Sequence, residues 1–284
     1  MPLVSMSEFL PHAKANKYAV GQFNMNNLEF TQAIIDASIE ENSPVIFGVS
    51  EGAMRYMGLD YTVAMAKVAA ERASVPVALH LDHGSSFEVV MKCIQAGFSS
   101  VMFDGSHYPL EENIRLTKKV VEAAHAVGVS VEGELGTIGG VEDDLNVADE
   151  DAKIAKPDEA IRFWKETGVD AMAIAVGTAH GMYKAEPKIH FDVIDEVARN
   201  IDVPVVLHGG SGVPDEDIIK AISLGVGKIN VNTENQVAMT KVIREVLAAK
   251  QDVIDPRKYI GPARDAIKET VRGKIRLFGS NNRF

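Results

Sequence analysis

Residues 165–176 read KETGVDAMAIAV, and they carry the chain from the end of a helix into a strand. The polar, helix-favouring residues stop at Gly168, and glycine commonly ends a helix because it adopts the left-handed backbone conformation without a steric penalty. The apolar run from Val169 onward, interrupted only by Asp170, has the length and composition of a buried strand. A helix that leads through glycine into a buried strand is typical of parallel α/β folds.

The same punctuation recurs along the chain. Glycine separates a helical pattern from a strand-like run in three more stretches, QAGFSSVMF (95–103), HAVGVSVEGEL (125–135) and SLGVGKINV (223–231). Proline directly precedes two further strand-like runs, in ASVPVALHL (73–81) and IDVPVVLHG (201–209). Together with two runs near the start of the chain, these signals predict eight strands, at residues 19–24, 45–49, 77–81, 100–103, 130–135, 171–176, 205–208 and 228–231.

Strands that alternate with amphipathic helical patterns predict parallel pairing through crossover helices. We therefore predict an α/β fold, a closed (β/α)8 TIM barrel, with residues 1–284 as a single domain. The alternative is an open, doubly wound sheet, but no glycine-rich dinucleotide-binding fingerprint follows the first strand. Two stretches depart from the repeat. Residues 136–157 are expected to form a long mobile loop after strand five, and the residues after Lys250 a C-terminal helical extension.

The composition limits the partners of the protein. Its 40 acidic and 29 basic residues give a formal net charge of −11. Such an acidic chain binds nucleic acid and anionic membranes poorly, so neither is expected as a partner. We find no signal peptide and no membrane-spanning run. The single cysteine, Cys93, excludes an internal disulfide, so a cytoplasmic location is expected.

Polar residues gather where the predicted strands end. In a TIM barrel the C-terminal strand ends and the loops after them carry the chemistry. Here every strand delivers a polar residue to that rim, in strand order Asn24, Ser50, Asp82 with His83, Asp104, Glu132 with Glu134, His180, His208 and Asn230. The sequence therefore predicts an active site at this end of the barrel.

Three histidines, His83, His180 and His208, arrive from strands three, six and seven. Three imidazoles that leave a fourth position open suit a catalytic zinc ion. Each histidine alone is more often a hydrogen-bonded structural residue, but convergence on one rim favours the metal. His80 lies deeper in the same strand as His83 and is expected to be structural.

Three carboxylates reach the same rim. Asp104, Glu132 and Glu134 could be partners of the histidines, ligands of a second cation, or alternative ligands of the first. A plain solvated charge is disfavoured, because a buried carboxylate is costly unless it is paired or bound to a metal.

Two glycine- and asparagine-rich loops, HGGSG (208–212) and NVNTEN (230–235), follow the last two strands. Barrels often hold phosphate there, through backbone N–H groups and a helix N-terminus. The simpler alternative is a tight turn with a helix cap. No lysine ends a strand, and Lys228 is expected to face the opposite end of the barrel, so a Schiff-base mechanism is not predicted.

Six motifs in order resemble the class II, zinc-dependent fructose-bisphosphate aldolases. They are YAVGQFNMNNLEFTQAI, SPVIFGVSEGA, LHLDHGSSFE, VEGELGTIGGVEDD, VLHGGSGVP and KINVNTENQ. The likeness covers essentially the whole chain, including DPRKYIGPAR near its end, and is greatest to the short bacterial subgroup that also contains the tagatose-bisphosphate aldolases. The resemblance implies reversible cleavage of fructose 1,6-bisphosphate to dihydroxyacetone phosphate and glyceraldehyde 3-phosphate, through an ene-diolate stabilised by Zn²⁺.

The resemblance also implies roles for single positions. It places the zinc ligands at His83, His180 and His208, the proton donor at Asp82, and a second acid–base residue, on the mobile loop, at Glu142. It implies ligands for a second divalent ion, or alternate zinc ligands, at Asp104 and Glu134, with Glu132 less firmly matched.

Substrate contacts are implied in the same way. Contacts to dihydroxyacetone phosphate match Gly181, Gly209, Gly210, Ser211, Asn230, Val231, Asn232 and Thr233. Asn24 and Ser50 match contacts to the other end of the sugar, and Lys184 and Arg257 match contacts to the second phosphate. Arg257 is expected to reach across from a neighbouring subunit of a homodimer or homotetramer. A monovalent cation, Na⁺ or K⁺, is implied near the phosphate site.

The identity of the sugar rests on one position. Tagatose-type members tend to carry alanine where this chain has Asn232, whereas a polar residue follows the fructose pattern, so fructose 1,6-bisphosphate is favoured. The alternative is a tagatose-1,6-bisphosphate aldolase or another ketose-phosphate aldolase of the same family. More distant alternatives are a metal-free phosphate-binding isomerase and a non-catalytic binding protein.

Overall fold

A computed structural model describes residues 2–142, 145–148, 152–181, 183 and 186–284. Within them the chain forms eleven strands: β1 Val20–Asn24, β2 Val45–Ser50, β3 Val77–Gly84, β4 Ser100–Phe103, β5 Ser130–Leu135, β6 Gly139–Glu142, β7 Leu145–Val147, β8 Ala171–Ile174, β9 Ala179–His180, β10 Val205–Leu207 and β11 Val226–Val231.

The described residues also form a 3-10 helix, Met6–Glu8, and eleven α-helices. The α-helices are α1 Leu10–Ala15, α2 Leu28–Glu40, α3 Glu51–Met57, α4 Leu59–Arg72, α5 Phe87–Ala96, α6 Leu110–His125, α7 Pro157–Thr167, α8 Phe191–Asn200, α9 Asp215–Leu224, α10 Thr233–Ala249 and α11 Arg257–Leu277. None of these described helices is both long enough and apolar enough to cross a membrane.

Eight strands close a parallel barrel in the order β1-β11-β10-β8-β5-β4-β3-β2. The first strand pairs with the second and with the last, so the sheet has no free edge. The predicted TIM barrel is confirmed, and the open sheet is excluded by this closure.

Local signals set the helix ends where the sequence predicts them. Gly97 and Gly168 end α5 and α7 with φ angles of 110° and 73°, in the left-handed region. At the other ends, the side chains of Asn27 and Ser86 accept hydrogen bonds from the N–H groups of Phe30 and Val89. Such caps satisfy backbone groups that a helix cannot pair internally.

The third strand runs further than predicted. β3 continues through Asp82 and His83 to Gly84, and its register against β4 shifts between Leu81 and Gly84. His83 has a φ of 52°, a conformation that costs a non-glycine residue on the order of 1–3 kcal/mol. This bulge turns consecutive side chains in directions that a regular strand does not allow.

Part of the segment predicted as a long mobile loop after strand five forms regular structure. β6 and β7 pair as an antiparallel hairpin, and β6 also pairs in parallel with β9. The predicted loop therefore contains a short hairpin, because the main-chain groups of these residues find partners in one another and in β9. The mobility of the segment stays a prediction.

The N-terminal end of the barrel is closed by apolar side chains. Met6, Phe9 and Leu10 pack against interior residues such as Val20 and Val206. The predicted C-terminal extension is present as α11, which packs on α2 and α10. Because this end is filled, a ligand can enter the barrel only from the C-terminal ends of the strands.

The glycine punctuation can be tested with a matched pair of substitutions. Gly168 has a φ of 73°, and a Cβ there would meet only Val121, at an ordinary contact distance of 4.0 Å, so Gly168→Ala should destabilise the fold by about 1–2 kcal/mol through backbone strain alone. Gly273 lies inside α11 with nothing near the position of a Cβ, so Gly273→Ala should stabilise it by about 0.5–1 kcal/mol. Urea unfolding midpoints measure both, and equal signs for the two variants would contradict the account.

Candidate active site

The predicted site residues converge at the C-terminal end of the barrel. Asp82 and His83 lie in β3, Glu134 lies in β5, His180 lies in β9, and His208 directly follows β10. All five side chains are buried, with between 0% and 9% of each residue exposed. The bulge in β3 and the pairing of β9 with β6 bring them to one place from four separate segments.

The three histidines face one another. Nε2 of His83 lies 3.0 Å from Nδ1 of His208. The ring of His180 lies 5.0 Å from that of His83 and 5.6 Å from that of His208, measured between centroids. One nitrogen from each ring lies within 4.8 Å of the others. Two nitrogens bound tetrahedrally to zinc are about 3.3 Å apart, so this donor set fits zinc closely.

Carboxylates hold the outer nitrogens of two of these rings. Nε2 of His208 donates to Glu132 at 3.0 Å, and Nδ1 of His83 donates to Asp104 at 2.9 Å. A histidine that donates through one nitrogen presents the other as a ligand, and such partners commonly orient metal-binding imidazoles. The inner nitrogens of His83 and His208 are therefore turned towards the shared centre.

A second group of donors lies on the opposite edge of the His83 ring. Nδ1 of His83 is 2.9 Å from Asp104 and 3.8 Å from Glu134, and these three residues could also hold a cation. Oε2 of Glu134 is buried and accepts no hydrogen bond from the residues that the structure describes. His80 belongs to neither group, since its Nδ1 pairs with the Ser100 hydroxyl at 2.8 Å.

Burial keeps two of the three imidazoles neutral. Burial, followed by the positive charge of His83, lowers the pKa of His180 to about 3. The same two causes hold the pKa of His208 well below its ordinary value. Because only a neutral imidazole can bind a metal, both rings are in the required form at neutral pH.

His83 differs because it lies among carboxylates. Burial alone would lower its pKa, but the hydrogen bond with Asp104 and the charge of Glu134 outweigh it and raise the pKa well above its ordinary value. Conversely, the pKa of Asp104 is lowered despite burial, by the hydrogen bond and charge of His83. Burial and the charge of Asp104 raise the pKa of Glu134. A proton on His83 thus places a positive charge among these carboxylates, where a bound metal ion would also place one.

Three side-chain amides surround the carboxylate of Asp82. Nε2 of Gln22 donates to it at 2.8 Å, and the amide nitrogens of Asn24 and Asn230 lie 3.5 and 3.4 Å from its oxygens. A buried carboxylate that accepts several amide hydrogen bonds is favoured as the anion. Asp82 therefore faces a different set of partners from His83, although the two are adjacent in sequence.

Gln22 was not among the predicted site residues. Gln22 is fully buried in β1. Gly48 leaves space for its side chain, since a Cβ at Gly48 would lie 2.5 Å from the Gln22 amide nitrogen. The available signal was a long polar residue in the middle of a short strand, with a glycine, Gly48, in the next strand.

The predicted phosphate loops form one cleft. His180, Gly181, Gly209, Ser211, Asn230, Asn232 and Thr233 line it. The cleft lies at the N-terminus of α10, and the Ser211 hydroxyl accepts a hydrogen bond from the N–H of Glu234 at 3.2 Å. Gly209 has a φ of 66° and lies against the backbone of Ala179, so a side chain there would collide. Val231 is fully buried, which leaves only its backbone for a ligand.

The structure does not gather every predicted residue. The Arg257 side chain is 88% exposed and pairs with Asp255, away from the histidines. Glu142 ends β6, but its side chain lies outside the described part, and Lys184 lies outside the described residues altogether. Ser50, in contrast, lies opposite Asp82 at the end of β2, where its hydroxyl accepts a hydrogen bond from the N–H of Ala53 at 3.1 Å and caps α3.

Lys228 lies elsewhere than predicted. β11 starts at Val226, so Lys228 sits inside the strand, and its Nζ reaches Asn230 and Glu132 at 2.8 Å each. The expectation that it faces the far end of the barrel was wrong, because the strand begins two residues earlier than the apolar pattern indicated. Lys228 is nevertheless ion-paired and beneath Asn230, which does not suit a Schiff base.

Three buried histidines that could hold a metal ion lie beside an amide-held carboxylate at the mouth of a TIM barrel, an arrangement typical of metal-dependent barrel enzymes. The sequence profile of the class-II fructose-bisphosphate aldolases matches residues 4–283, and the chain belongs to this family. The family membership predicted from the six motifs is confirmed.

Relatives support the same assignment over the full chain. A probable fructose-bisphosphate aldolase of Bacillus subtilis (strain 168) is 60% identical over 285 residues, 99% of each chain. A fructose-bisphosphate aldolase of Staphylococcus aureus (strain N315) is 58% identical over 286 residues, 100% of this chain and 99% of the relative. The crystal structure of the YdjI aldolase from Escherichia coli K12 superposes with a TM-score of 0.87 at 37% identity, covering 99% of this chain and 98% of the other.

Metal uptake should release a proton. At pH 7 the metal-free protein holds a proton on His83, while His180 and His208 are neutral, so binding of zinc should displace about one proton per ion. Zinc affinity should accordingly fall as the pH is lowered through neutrality. Calorimetric titration in two buffers of different ionisation enthalpy measures the proton count, and zinc binding at pH 7 without proton release would contradict the assignment.

Proposed function

We propose that this protein catalyses the reversible aldol cleavage of fructose 1,6-bisphosphate to dihydroxyacetone phosphate and glyceraldehyde 3-phosphate, as a zinc-dependent enzyme of the cytoplasm. Family membership supports this proposal, as do relatives with that name at about 60% identity. The observation that carries it is the juxtaposition of three buried imidazoles with Asp82, a carboxylate held by three amides.

His83, His180 and His208 would hold the catalytic zinc ion. When bound, zinc polarises a substrate carbonyl and stabilises negative charge on its oxygen. Asp104 and Glu134, on the other edge of the His83 ring, would hold a second divalent ion or an alternate position of the first. A monovalent cation, Na⁺ or K⁺, near the phosphate cleft completes the proposal on the strength of the family resemblance.

Two carboxylates would move the protons. In the cleavage direction, Asp82 would take the proton of the substrate C4 hydroxyl as the C3–C4 bond breaks. The electron pair of that bond would stay with the C3 fragment. Glu142 then gives a proton to C3, which yields dihydroxyacetone phosphate. Condensation reverses both transfers. The contacts from Gln22, Asn24 and Asn230 support the role of Asp82, because they hold its carboxylate ready to accept that proton.

The cleft at α10 would bind the phosphate of the dihydroxyacetone half. Gly181, Gly209, Ser211, Asn230, Asn232 and Thr233 line the cleft, at the positive end of a helix dipole. Gly210 and Val231 would complete the contact set on the strength of the family resemblance. Asn24 and Ser50 would contact the other end of the sugar, and Lys184 would contact the second phosphate. Arg257 would serve that phosphate from a neighbouring subunit of a homodimer or homotetramer, since its side chain is exposed in the single chain.

The preference for fructose over tagatose rests on Asn232. Its side-chain oxygen accepts a hydrogen bond from Asn26 at 3.1 Å, so it lies at the cleft in a fixed orientation. Alanine at this position, as in tagatose-type enzymes, would remove that contact. Cleavage of tagatose 1,6-bisphosphate remains the alternative outcome of the assay.

A side-by-side assay tests the substrate and the metal. The zinc-loaded protein should cleave fructose 1,6-bisphosphate with a kcat/KM at least about tenfold above that for tagatose 1,6-bisphosphate, a difference of about 1.4 kcal/mol in transition-state binding. A chelator should abolish both activities, and added zinc should restore them. A reversed sugar preference would replace the fructose assignment, and activity that survives chelation would remove the zinc.

Replacement of Asp82 tests the acid–base assignment. Asp82→Ala should lower kcat by about 10²–10⁴-fold, the usual contribution of a general acid or base, while zinc content stays near one ion per chain. Asp202→Ala is the matched control, because Asp202 is exposed at the other end of the barrel, before β10. Near-normal turnover in Asp82→Ala would contradict the assignment, as would loss of zinc from it.

A further inference from the structure

Lys228 is a cation enclosed entirely within the barrel. None of its surface is exposed, and its Nζ lies 2.8 Å from Oε2 of Glu132 and 2.8 Å from Oδ1 of Asn230. A charge removed from water is costly unless it is paired and hydrogen-bonded, and Lys228 meets both conditions. Its two partners, Glu132 and Asn230, belong to different parts of the site.

The contact with Glu132 connects Lys228 to the proposed metal site. Oε2 of Glu132 is ion-paired with Nζ of Lys228 at 2.8 Å, and Oε1 accepts a hydrogen bond from Nε2 of His208 at 3.0 Å, so both of its oxygens are engaged. A carboxylate fastened at both oxygens cannot rotate away from its histidine. His208 is thereby kept with its proton on Nε2, and Nδ1 is directed at His83.

The contact with Asn230 connects Lys228 to Asp82. Because Lys228 takes the side-chain oxygen of Asn230, the amide nitrogen of Asn230 must point the other way. That nitrogen lies 3.4 Å from Oδ1 of Asp82 and 3.4 Å from Nδ1 of His208. A reversed amide would set an oxygen against the Asp82 carboxylate, which is repulsive.

We propose that Lys228 is a positioning residue that fixes both halves of the site from beneath: the metal-binding tautomer of His208 through Glu132, and the orientation of Asp82 through Asn230. The proposal rests on the proposed function, because it takes His208 as a zinc ligand and Asp82 as the proton-transfer group. Lys228 touches neither substrate nor metal.

Two other roles for a buried lysine make different predictions. A lysine that serves only as a core ion pair would change stability and leave zinc affinity and turnover of the folded protein unaltered. A lysine that acts only through its charge would repel a divalent ion, so its removal would tighten zinc binding. Positioning alone predicts that zinc binding weakens when Lys228 is replaced.

The experiment compares Lys228→Met with the wild type and with Lys14→Met. Lys14 is a matched control, since it is a partly buried lysine that donates to the carbonyl oxygens of Ile201 and Val203, outside the site. Zinc affinity is measured by competition with a chromophoric chelator, and kcat and KM with fructose 1,6-bisphosphate at saturating zinc. We expect Lys228→Met to weaken zinc binding about 10–100-fold, as loss of an orienting partner does elsewhere, and to lower kcat more than it changes KM.

A double variant keeps the test decisive if Lys228→Met does not fold. Lys228→Met/Glu132→Gln leaves no unpaired charge inside the barrel, and it is compared with Glu132→Gln, with circular dichroism as the check on folding. Both should bind zinc about 10–100-fold more weakly than the wild type. The double variant should have the lower kcat, because only there is Asn230 released.

Unchanged or tighter zinc binding in folded Lys228→Met would overturn the proposal. So would equal kcat values for Glu132→Gln and the double variant. Failure of the wild type to cleave fructose 1,6-bisphosphate would count against the proposed substrate alone, because the zinc affinities of the variants still decide the positioning role. A wild-type protein without zinc affinity would overturn both.

Discussion

Three imidazoles share one buried pocket, and the rest of the site follows from that constraint. His83 and His208 bring ring nitrogens within 3.0 Å of each other, so either a proton or a metal must lie between them. Burial excludes protons from His180 and His208, and the neighbouring carboxylates draw one proton to His83. The metal-free pocket therefore already has the charge arrangement of a cation site.

The carboxylates around this pocket have two kinds of hydrogen-bond partner. Asp104 and Glu132 each hold the outer nitrogen of a histidine, whereas Asp82 is turned away and held by amides. Three anions in one barrel would repel one another if they were equivalent. Distinct partners separate them into two that orient the proposed metal ligands and one that is proposed to transfer protons.

Much of this was predictable because strand ends are marked in the sequence. Glycine or proline precedes most strands, and a polar residue ends each one, so parallel pairing alone brings the polar residues to one rim. His83, His180 and His208 could be chosen on that basis. The six motifs added the family and the roles of single positions.

Other features depend on contacts between distant residues and left no local signal. The bulge at His83 arises where β3 meets β4, as a shift of register between Leu81 and Gly84. Gln22 reaches Asp82 only because Gly48, in the neighbouring strand, has no side chain. The orientation of Lys228 depended on where β11 begins, which the apolar pattern missed by two residues.

The hairpin after β5 is a further case. Residues 136–157 show a loop-like composition, yet β6 pairs with β9, which carries His180. Pairing of this kind ties the backbone before Glu142 to a proposed metal ligand. The composition of a segment indicates how polar it is. Whether the segment pairs as a strand depends on which other segment the fold places beside it.

Anomalous diffraction at the zinc edge, from crystals of the zinc-loaded protein, tests the central claim most directly. We predict one peak between His83, His180 and His208, at about 2.0–2.1 Å from Nε2 of His83 and Nδ1 of His208. A peak only on the other edge of the His83 ring, between Asp104 and Glu134, would contradict it, and so would the absence of any peak at the barrel mouth.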